Sequence, residues 1–217
     1  MESKRKQRAD MVRQLMKKDI LESAFLLTLE KGIPGVTIVD IAQKAGTSRV
    51  NIYNYYKSID EIMFDVQTDV LTQLHAFSDF EAPKEQNGAQ QLAALLYQLI
   101  GRFKTHRDQI RFTAVFDHAY RTAYPLPELQ EMYREFIRNL YGPIESVLLQ
   151  GIEDGSLDLA DHLKADIRVL TMTLIHSTFG TMQRLATRRN VFQQDSAQAD
   201  FAILENFLSL LLKSLTA

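Results

Sequence analysis

The chain has 217 residues, of which 46% are hydrophobic, so it can bury a substantial core in one or two domains. It contains no cysteine, which excludes a disulfide framework and a thiolate zinc site. The basic N-terminus is not followed by an apolar run of signal-peptide type, and no segment approaches a membrane-spanning length. These features predict a soluble, cytoplasmic protein.

Charge is distributed unevenly along the chain, although the net charge is only −2. Residues 1–60 carry 11 Lys/Arg against 7 Asp/Glu, whereas residues 61–217 carry 14 against 20. A basic end on an acidic body favours local binding of phosphate groups. For residues 2–8 the sequence leaves two interpretations open: a disordered solubilising tail, or an arm that reaches a phosphate or the minor groove.

Apolar residues recur at helical spacing throughout, and no strand pattern is present, so an all-α chain is predicted. The first helix is expected from about Ala9 to Lys31, with Gly32 ending it. The fourth begins near Ser58, and Pro143 should kink or break the seventh. Further helices are predicted around residues 92–103, 108–121, 128–151, 164–188 and 197–215, with a loop at 81–88, a turn at Asp154-Gly155 and a polar connection at 189–196.

Residues 37–57, TIVDIAQKAGTSRVNIYNYYK, carry the most specific pattern. Thr37 stands three residues before Asp40, which suits an N-cap hydroxyl with an acid at the N3 position. Gly46 interrupts the helical pattern, since glycine reaches positive φ without a steric penalty, and the Thr-Ser pair that follows can cap a second helix. This layout predicts a helix-turn-helix, whose second helix enters the DNA major groove.

The second of these helices divides by angle into two faces. Ile52 and Tyr56 can bury against the preceding helices, while Asn and Tyr side chains and an adjacent Arg occupy the other face. Arg pairs with guanine, Asn with adenine and Tyr with phosphate, so DNA is the favoured partner of this face. An ordinary solvated helix is the alternative that the residues alone leave open.

From Ile20 to Ile62 the chain resembles the DNA-binding domain of TetR-family (tetracycline-repressor-like) transcriptional regulators. The matching residues are Ile20, Ala24, Leu27, Gly32, Thr37, Asp40, Ile41, Ala42, Ala45, Gly46, Ser48, Ile52, Tyr53, Tyr56, Lys57, Ser58, Glu61 and Ile62. Three positions depart from the family pattern: Val50, Ile59 and Thr28. The last replaces a common phenylalanine, which should thin the small core.

The polar face of the second helix and the resemblance together predict the DNA contacts. The residues expected to face the major groove are Arg49, Val50, Asn51, Asn54 and Tyr55. The residues expected to hold phosphates are Thr37, Ser48, Tyr53 and Lys57.

The middle helices are rich in aromatic residues with a few polar groups among them, which fits a small-molecule pocket and equally an ordinary helical core. The resemblance implies an effector cavity among helices four to eight. Its candidate lining residues are Phe77, Phe103, Phe112, Phe116, His118, Tyr120, Tyr133, Phe136, Met172, His176 and Phe179.

The last two helices are apolar on more than one face, so they are either buried in a monomer or meet a partner. The resemblance implies a four-helix dimer interface. Its candidate residues are Ile167, Leu174, Leu204, Leu208 and Leu211.

Enzyme signatures are lacking: the five histidines show no helical zinc spacing, and neither a glycine-rich phosphate loop nor a nucleophile elbow occurs. No catalytic residue, metal ligand, cofactor or membrane contact is predicted. We expect a helix-turn-helix DNA-binding domain in residues 1–57 and a helical ligand-binding and dimerisation domain in residues 58–217. The expected function is that of a homodimeric, effector-released repressor of a palindromic operator; a helical adaptor acting through its last two helices is the alternative.

Overall fold

The computed structural model describes residues 2–75, 86–122, 124–187 and 197–216. Within these ranges the chain forms α-helices and two 3-10 turns and contains no strand, as the sequence predicts. The helices are α1 (Glu2–Lys31), α2 (Ile38–Lys44), α3 (Arg49–Ile52), α4 (Ile59–Leu74), α5 (Gly88–Gly101), α6 (Arg107–Ala119), α7 (Pro127–Glu153), α8 (Asp161–Lys164), α9 (Ile167–Thr187) and α10 (Ala197–Lys213), with 3-10 turns at Ile33–Gly35 and Arg102–Lys104.

Several helix boundaries differ from those predicted. α1 begins at Glu2 rather than near Ala9, so the backbone of residues 2–8 is helical. α7 is continuous through Pro143, so of the two predicted effects, a kink or a break, the break does not occur. A separate short helix, α8, precedes α9 where one helix was expected. Residues 81–85 of the predicted loop, and the connection at 189–196, lie outside the described residues.

The chain divides into two compact units. Unit 1 comprises Met1–Leu71 and Phe112–Tyr133, and unit 2 comprises Thr72–Arg111 and Arg134–Ala217. These units do not coincide with the division into residues 1–57 and 58–217, which stays a prediction about where functions lie.

The core of unit 1 is built from the apolar stripes of α1, α2, α3 and α4. Ile20, Ile41, Ile52 and Ile62 are completely buried there. The departure at Thr28 is accommodated, because its buried hydroxyl lies 3.4 Å from the Met63 sulfur. The Thr28 hydroxyl thus has a weak acceptor within the core.

The backbones of α5 and α7 approach each other very closely in unit 2. Gly88, the first residue of α5, lies against Gly151 near the end of α7; a Cβ on Gly88 would stand 2.2 Å from the Gly151 nitrogen. The Asp154 carboxylate accepts a 2.8 Å hydrogen bond from the Gly88 N–H, and the Ser156 hydroxyl accepts one of 2.9 Å from Ala89. These side chains satisfy backbone donors of the first turn of α5, which the helix itself cannot.

Arg107 joins three further segments of unit 2. Its guanidinium donates to the Leu185 carbonyl at 2.8 Å, pairs with the buried Asp200 carboxylate at 2.9 Å, and lies 5.1 Å from the centre of the Phe103 ring. The beginning of α6 is thereby tied to the end of α9 and the beginning of α10.

Among the described residues, no helix is both long and apolar enough to cross a membrane.

Candidate nucleic-acid interface and aromatic cluster

The start of α2 is fixed by the predicted capping box. The Thr37 hydroxyl accepts from the Asp40 N–H at 3.1 Å, and the Asp40 carboxylate accepts from the Thr37 N–H at 3.0 Å and from its hydroxyl at 2.7 Å. Hydrogen bonds from Thr37 and from Lys31 lower the pKa of Asp40. The Thr37 hydroxyl already donates to Asp40, so a DNA phosphate would have to compete with Asp40 for this hydrogen bond.

The turn between α2 and α3 forms as the sequence predicts. Gly46 has φ +64°, and Ser48 rather than Thr47 caps α3, its hydroxyl accepting from the Asn51 N–H at 3.1 Å. Since Ser48 serves here as an acceptor, its own proton can point to an outside acceptor such as a phosphate. Ile52 is completely buried and anchors α3 to the domain.

α3 ends at Ile52, earlier than the run of tyrosines at which the sequence predicts its end, and its side opposite Ile52 projects outward together with the turn that follows. Val50 is 72% exposed and Tyr53 52%, and Arg49, Asn54 and Lys57 are exposed as well. This surface combines one guanidinium, one amide and one apolar tip, which is the chemistry that reads base edges.

Asn51 is held by its neighbours on the same surface. Its Nδ2 donates to the Thr47 hydroxyl at 2.8 Å, and its Oδ1 accepts from Asn54 Nδ2 at 3.4 Å. The half-buried Asn51 therefore orients Asn54 in the unbound protein.

Two tyrosines at the end of the helix-turn-helix pack against α1. The half-buried ring of Tyr55, predicted to face the groove, lies 5.6 Å from the Arg13 guanidinium. Tyr56 is buried as predicted, and its hydroxyl donates to the Asp65 carboxylate at 2.9 Å, which also pairs with Lys17 Nζ at 2.7 Å. Burial, reinforced by the Asp65 charge, raises the pKa of Tyr56.

The link of Lys17, Asp65 and Tyr56 connects α1, the end of the helix-turn-helix and α4. This link was not predictable from the sequence, because the three residues are up to 48 positions apart and no local pattern relates them.

A cluster of five aromatic rings lies elsewhere in unit 1. Phe64 is at its centre, with the ring centres of Phe116, Tyr120, Tyr124 and Tyr133 between 5.0 and 5.7 Å away in edge-to-face arrangements. We call these five residues the aromatic cluster. Of the predicted effector residues it brings together Phe116, Tyr120 and Tyr133, and Phe112 adjoins it with its ring centre 6.5 Å from that of Phe116.

Polar groups border the aromatic cluster at two points. The Tyr120 hydroxyl donates to the Asp60 carboxylate at 2.8 Å, and burial together with this bond raises the pKa of Tyr120. Gln67 is 1% exposed; its Nε2 donates to the Tyr133 hydroxyl at 3.1 Å, while its Oε1 has no hydrogen-bond partner among the described residues. Sequence reasoning missed Gln67, although an amide three residues after Phe64 on an otherwise apolar helix face was a usable signal.

The other predicted effector residues are dispersed. Phe103 is buried beneath Arg107, and the ring of Phe179 lies 5.4 Å from that of His75. The exposed His176 lies with its ring 6.1 Å from that of Tyr141. The remaining placements are Phe136, half-buried; Met172, exposed; His118, exposed beside Arg121; and Phe77, outside the described residues.

The predicted dimerisation residues fall into two groups. Leu174, Leu204 and Leu208 are buried within the chain, so their side chains belong to its core and are not presented to a second copy. Ile167 and Leu211 are half-buried. The apolar side chains that α9 and α10 do expose are Val169, Met172, Ile203 and Leu210.

In the described ranges, His, Asp and Glu side chains form no group of three or more that could hold a metal ion.

Comparison with known proteins agrees with this architecture. Residues 20–66 match the family model for bacterial regulatory proteins of the tetR family. No curated protein matches the chain.

Similar solved structures extend the likeness to the whole chain. The TetR family transcriptional regulator PfmR from Thermus thermophilus is 19% identical with a TM-score of 0.65, covering 91% of this chain and 99% of that one. FadR from Bacillus subtilis, solved with stearoyl-CoA, is 18% identical with a TM-score of 0.62 (91% and 98% covered). The ketosteroid transcriptional regulator KstR2 of Mycobacterium tuberculosis is 19% identical with a TM-score of 0.62 (93% and 95% covered).

Residues 20–66, which contain the helix-turn-helix, thus match the tetR family of bacterial regulatory proteins, and the chain shares the all-helical fold of solved TetR-family transcriptional regulators.

Proposed function

We propose that this regulator is a ligand-responsive repressor that binds a palindromic operator as a homodimer and is released by a small, largely apolar effector. The observation that carries the DNA-binding part is the outward face of α3. Arg49 and Val50 stand on this helix, which is capped by Ser48 and anchored by the buried Ile52, and Asn54 stands in the turn that follows it. A rigid support of this kind favours specific base contacts, because little conformational entropy is lost when the protein binds DNA.

The proposed contacts follow from the chemistry of each side chain. Arg49 and Asn54 would pair with base edges, and Val50 would touch a thymine methyl group. Lys57 and Tyr53 would bind phosphates. The Ser48 hydroxyl would do the same, because its oxygen accepts from the Asn51 N–H and its proton is left to donate to a phosphate. Thr37 also stays a proposed phosphate contact, in competition with Asp40, and Tyr55 would reach DNA only by leaving Arg13.

The proposed dimer surface uses the exposed apolar side chains of α9 and α10. Val169 and Met172 are three residues apart on α9, and Ile203 and Leu210 are seven apart on α10, so each pair shares one face of its helix. Exposed apolar faces of this kind mark contact surfaces. A twofold dimer would present two α3 helices to two half-sites about 34–36 Å apart, or a multiple of that distance.

The proposed effector site is the aromatic cluster, because α4 contacts both this cluster and the DNA-binding elements within unit 1. Phe64 and Gln67 of α4 take part in the aromatic cluster or border it, while Asp65 of the same helix holds Tyr56 and Lys17. An effector that bound better when α4 is shifted would weaken DNA binding, and DNA would weaken effector binding equally. The FadR structure with stearoyl-CoA supports effector binding by this fold.

The experiment that tests the DNA-binding proposal is selection of random duplex DNA on the purified protein, followed by sequencing. We expect a palindromic motif with a fixed half-site spacing. Arg49→Ala should weaken binding to that motif by about 1–3 kcal/mol and relax one base position. The matched control is Arg138→Ala, an exposed arginine of α7, which should leave the motif and the affinity unchanged.

Two results of this experiment would contradict the proposal. If no sequence is enriched at low salt, where phosphate contacts are strongest, the repressor proposal fails and the adaptor alternative gains support. If Arg49→Ala weakens non-specific and specific binding equally, Arg49 contacts phosphate instead of a base.

A further inference from the structure

We propose that Arg13 of α1, held in place by the ring of Tyr55, binds a backbone phosphate of the operator at the edge of the major groove that α3 enters. This inference rests on the proposed function, since it adds a contact to the same DNA interface. It also gives Tyr55 a role other than a groove contact: Tyr55 is a positioning residue, and it stays against Arg13 when DNA binds.

Arg13 lies beside the proposed DNA-binding surface although it belongs to α1. Its guanidinium is 5.6 Å from the centre of the Tyr55 ring, within the range of about 6 Å over which a cation attracts an aromatic face. Tyr55 directly follows Asn54, which is proposed to read a base. Tyr53 and Lys57, both exposed, stand two residues before and two residues after Tyr55. The contact therefore brings a positive charge from α1 to the edge of this surface.

The charge of Arg13 is not neutralised by a carboxylate. Three lysines of unit 1 form ion pairs: Lys17 with Asp65 at 2.7 Å, Lys31 with Asp40 at 3.2 Å, and Lys44 with Glu30 at 3.7 Å. Arg13 is exposed and forms no ion pair within the part of the chain that the structure describes, not even with Asp10, three positions earlier on α1. An aromatic ring attracts the guanidinium but supplies no oxygen acceptor, so the N–H donors of Arg13 are left for an acceptor from outside.

The dimensions of the duplex favour a phosphate as that acceptor. An α-helix with its side chains is about 10–12 Å across, and the major groove of B-DNA is about 12 Å wide. Once α3 occupies the groove, a side chain of α1 beside it meets the sugar–phosphate wall of the groove instead of base edges. Arginine suits this position, because its planar fork of donors matches phosphate oxygens and also stacks on aromatic faces.

The Tyr55 ring reduces the entropic cost of the phosphate contact. An arginine side chain without a neighbour loses much of its rotamer freedom when it binds a phosphate. The half-buried Tyr55 restricts the guanidinium in the unbound protein, so less freedom remains to be lost on binding. Arg13 and Tyr55 are therefore expected to act as a unit.

The test is the salt dependence of DNA binding by the full-length protein, measured by fluorescence anisotropy. One labelled duplex carries the selected motif, and a random-sequence duplex is measured in parallel. Each phosphate contact contributes about 0.9 to the slope of log affinity against log salt concentration. Arg13→Ala should lower the slope by about 1.8 for a dimer and weaken binding of both duplexes about sixtyfold near 0.1 M salt. The preferred bases should not change, since phosphate contacts carry no sequence information.

Two further variants separate a phosphate contact from a structural role. Lys18→Ala is the matched control, because it removes one positive charge from an exposed residue of the same helix, about 140° around the axis from Arg13. It should leave the slope unchanged. Arg13→Lys keeps the charge but loses the bidentate fork, so the slope should be retained while affinity falls by less than about tenfold. The melting temperature of each variant shows whether the fold is intact.

The positioning role of Tyr55 is tested by two substitutions. Tyr55→Phe keeps the ring against Arg13, so affinity, slope and preferred bases should stay as in the wild-type protein. Tyr55→Leu removes the aromatic face and should weaken binding of both duplexes about fivefold. In the Arg13→Ala background, Tyr55→Leu should have no further effect, because residues that act as a unit are not additive.

Three results would overturn the inference. They are a wild-type salt slope in Arg13→Ala, an equal loss of slope in Lys18→Ala, and a changed base preference in Tyr55→Phe, which would make Tyr55 itself the groove contact. Each of these outcomes leaves the motif selected by the wild-type protein intact. Failure to select a motif would instead reject the repressor proposal, and the slope on the random-sequence duplex would still decide whether Arg13 binds phosphate.

Discussion

The hydroxyl of Tyr120, the residue that follows α6, donates a 2.8 Å hydrogen bond to the Asp60 carboxylate in the first turn of α4. The two residues are 60 positions apart in the sequence, yet this bond fixes the end of one helix relative to the start of the other. α4 also carries Asp65, which holds Tyr56 at the end of the helix-turn-helix. α4 thus contacts both the residue that follows α6 and the end of the helix-turn-helix.

Tyr120→Phe should reduce the free energy of unfolding by about 1–2 kcal/mol, because a half-buried carboxylate loses a hydrogen bond. The measurement is the urea midpoint. Tyr97→Phe, which removes the hydroxyl of an exposed tyrosine on α5, is the control and should change stability by less than about 0.5 kcal/mol. A loss equal to that of the control would mean that the Tyr120 bond is not formed in solution.

Asn54→Ala should abolish the preference for adenine at one position of the selected DNA motif and cost about 1–3 kcal/mol of specific affinity. Asn51→Ala should lower affinity but keep the same preferred base, since both atoms of the Asn51 amide are engaged by Thr47 and Asn54. Sequencing of DNA selected by each variant separates the two roles. The reverse pattern would make Asn51 the residue that reads the base.

Leu210→Glu should dissociate the proposed dimer, raising its dissociation constant at least about a hundredfold, because twofold symmetry places two buried charges in the interface. Molar mass by light scattering measures the effect. Leu149→Glu on α7 is the control: Leu149 is also an exposed leucine but lies outside the proposed surface, so the mass should not change.

Leu208→Glu would be a poor substitute for that experiment. Leu208 is completely buried, so a charge there should unfold the chain instead of separating two copies. An unchanged mass for Leu210→Glu at concentrations where the wild-type protein is dimeric would reject this surface.

Gly88→Ala should destabilise the protein by about 3 kcal/mol, because the added methyl group meets the Gly151 backbone, which cannot move without shifting α7. Chemical denaturation measures the loss. Gly101→Ala at the other end of α5 is the control, since no atom of the described residues lies within 4 Å of its added carbon. That change should be neutral or stabilise by about 0.5–1 kcal/mol. Equal effects at both glycines would contradict the close approach of Gly88 and Gly151.

Asp154→Asn should change how stability depends on pH. Hydrogen bonds from Ser156 and from the Gly88 N–H lower the pKa of Asp154 below its ordinary value of 3.8. Its stabilisation is therefore fully present above about pH 4 and is lost as pH falls through the lower pKa of the folded state. Comparing wild type and variant by urea midpoints from about pH 7 to pH 3 should show a difference that is constant above about pH 4 and shrinks below it. A difference that grows on acidification would contradict the assignment.

Features set by neighbours in the sequence were predictable. The capping box of Thr37 and Asp40, the positive φ of Gly46 and the turn at Asp154-Gly155 depend on residues no more than a few positions apart. Burial of Ile52 followed from the rotation of about 100° per helical residue; Tyr56 is buried as predicted, although it lies beyond the end of α3. Local hydrogen bonds and helical periodicity therefore sufficed for the all-α class and for the helix-turn-helix.

The tertiary structure alone decided which distant residues meet. Phe64, Phe116 and Tyr133 come from three helices, and no spacing in the chain relates them. α10 is apolar on several faces, so its sequence does not say which leucines turn inward; packing buried Leu204 and Leu208 and left Leu210 exposed. The same holds for Tyr55, whose ring Arg13 covers. The periodicity of a helix determines which residues share a face, but the neighbours against which that face packs are determined only when the helices come together.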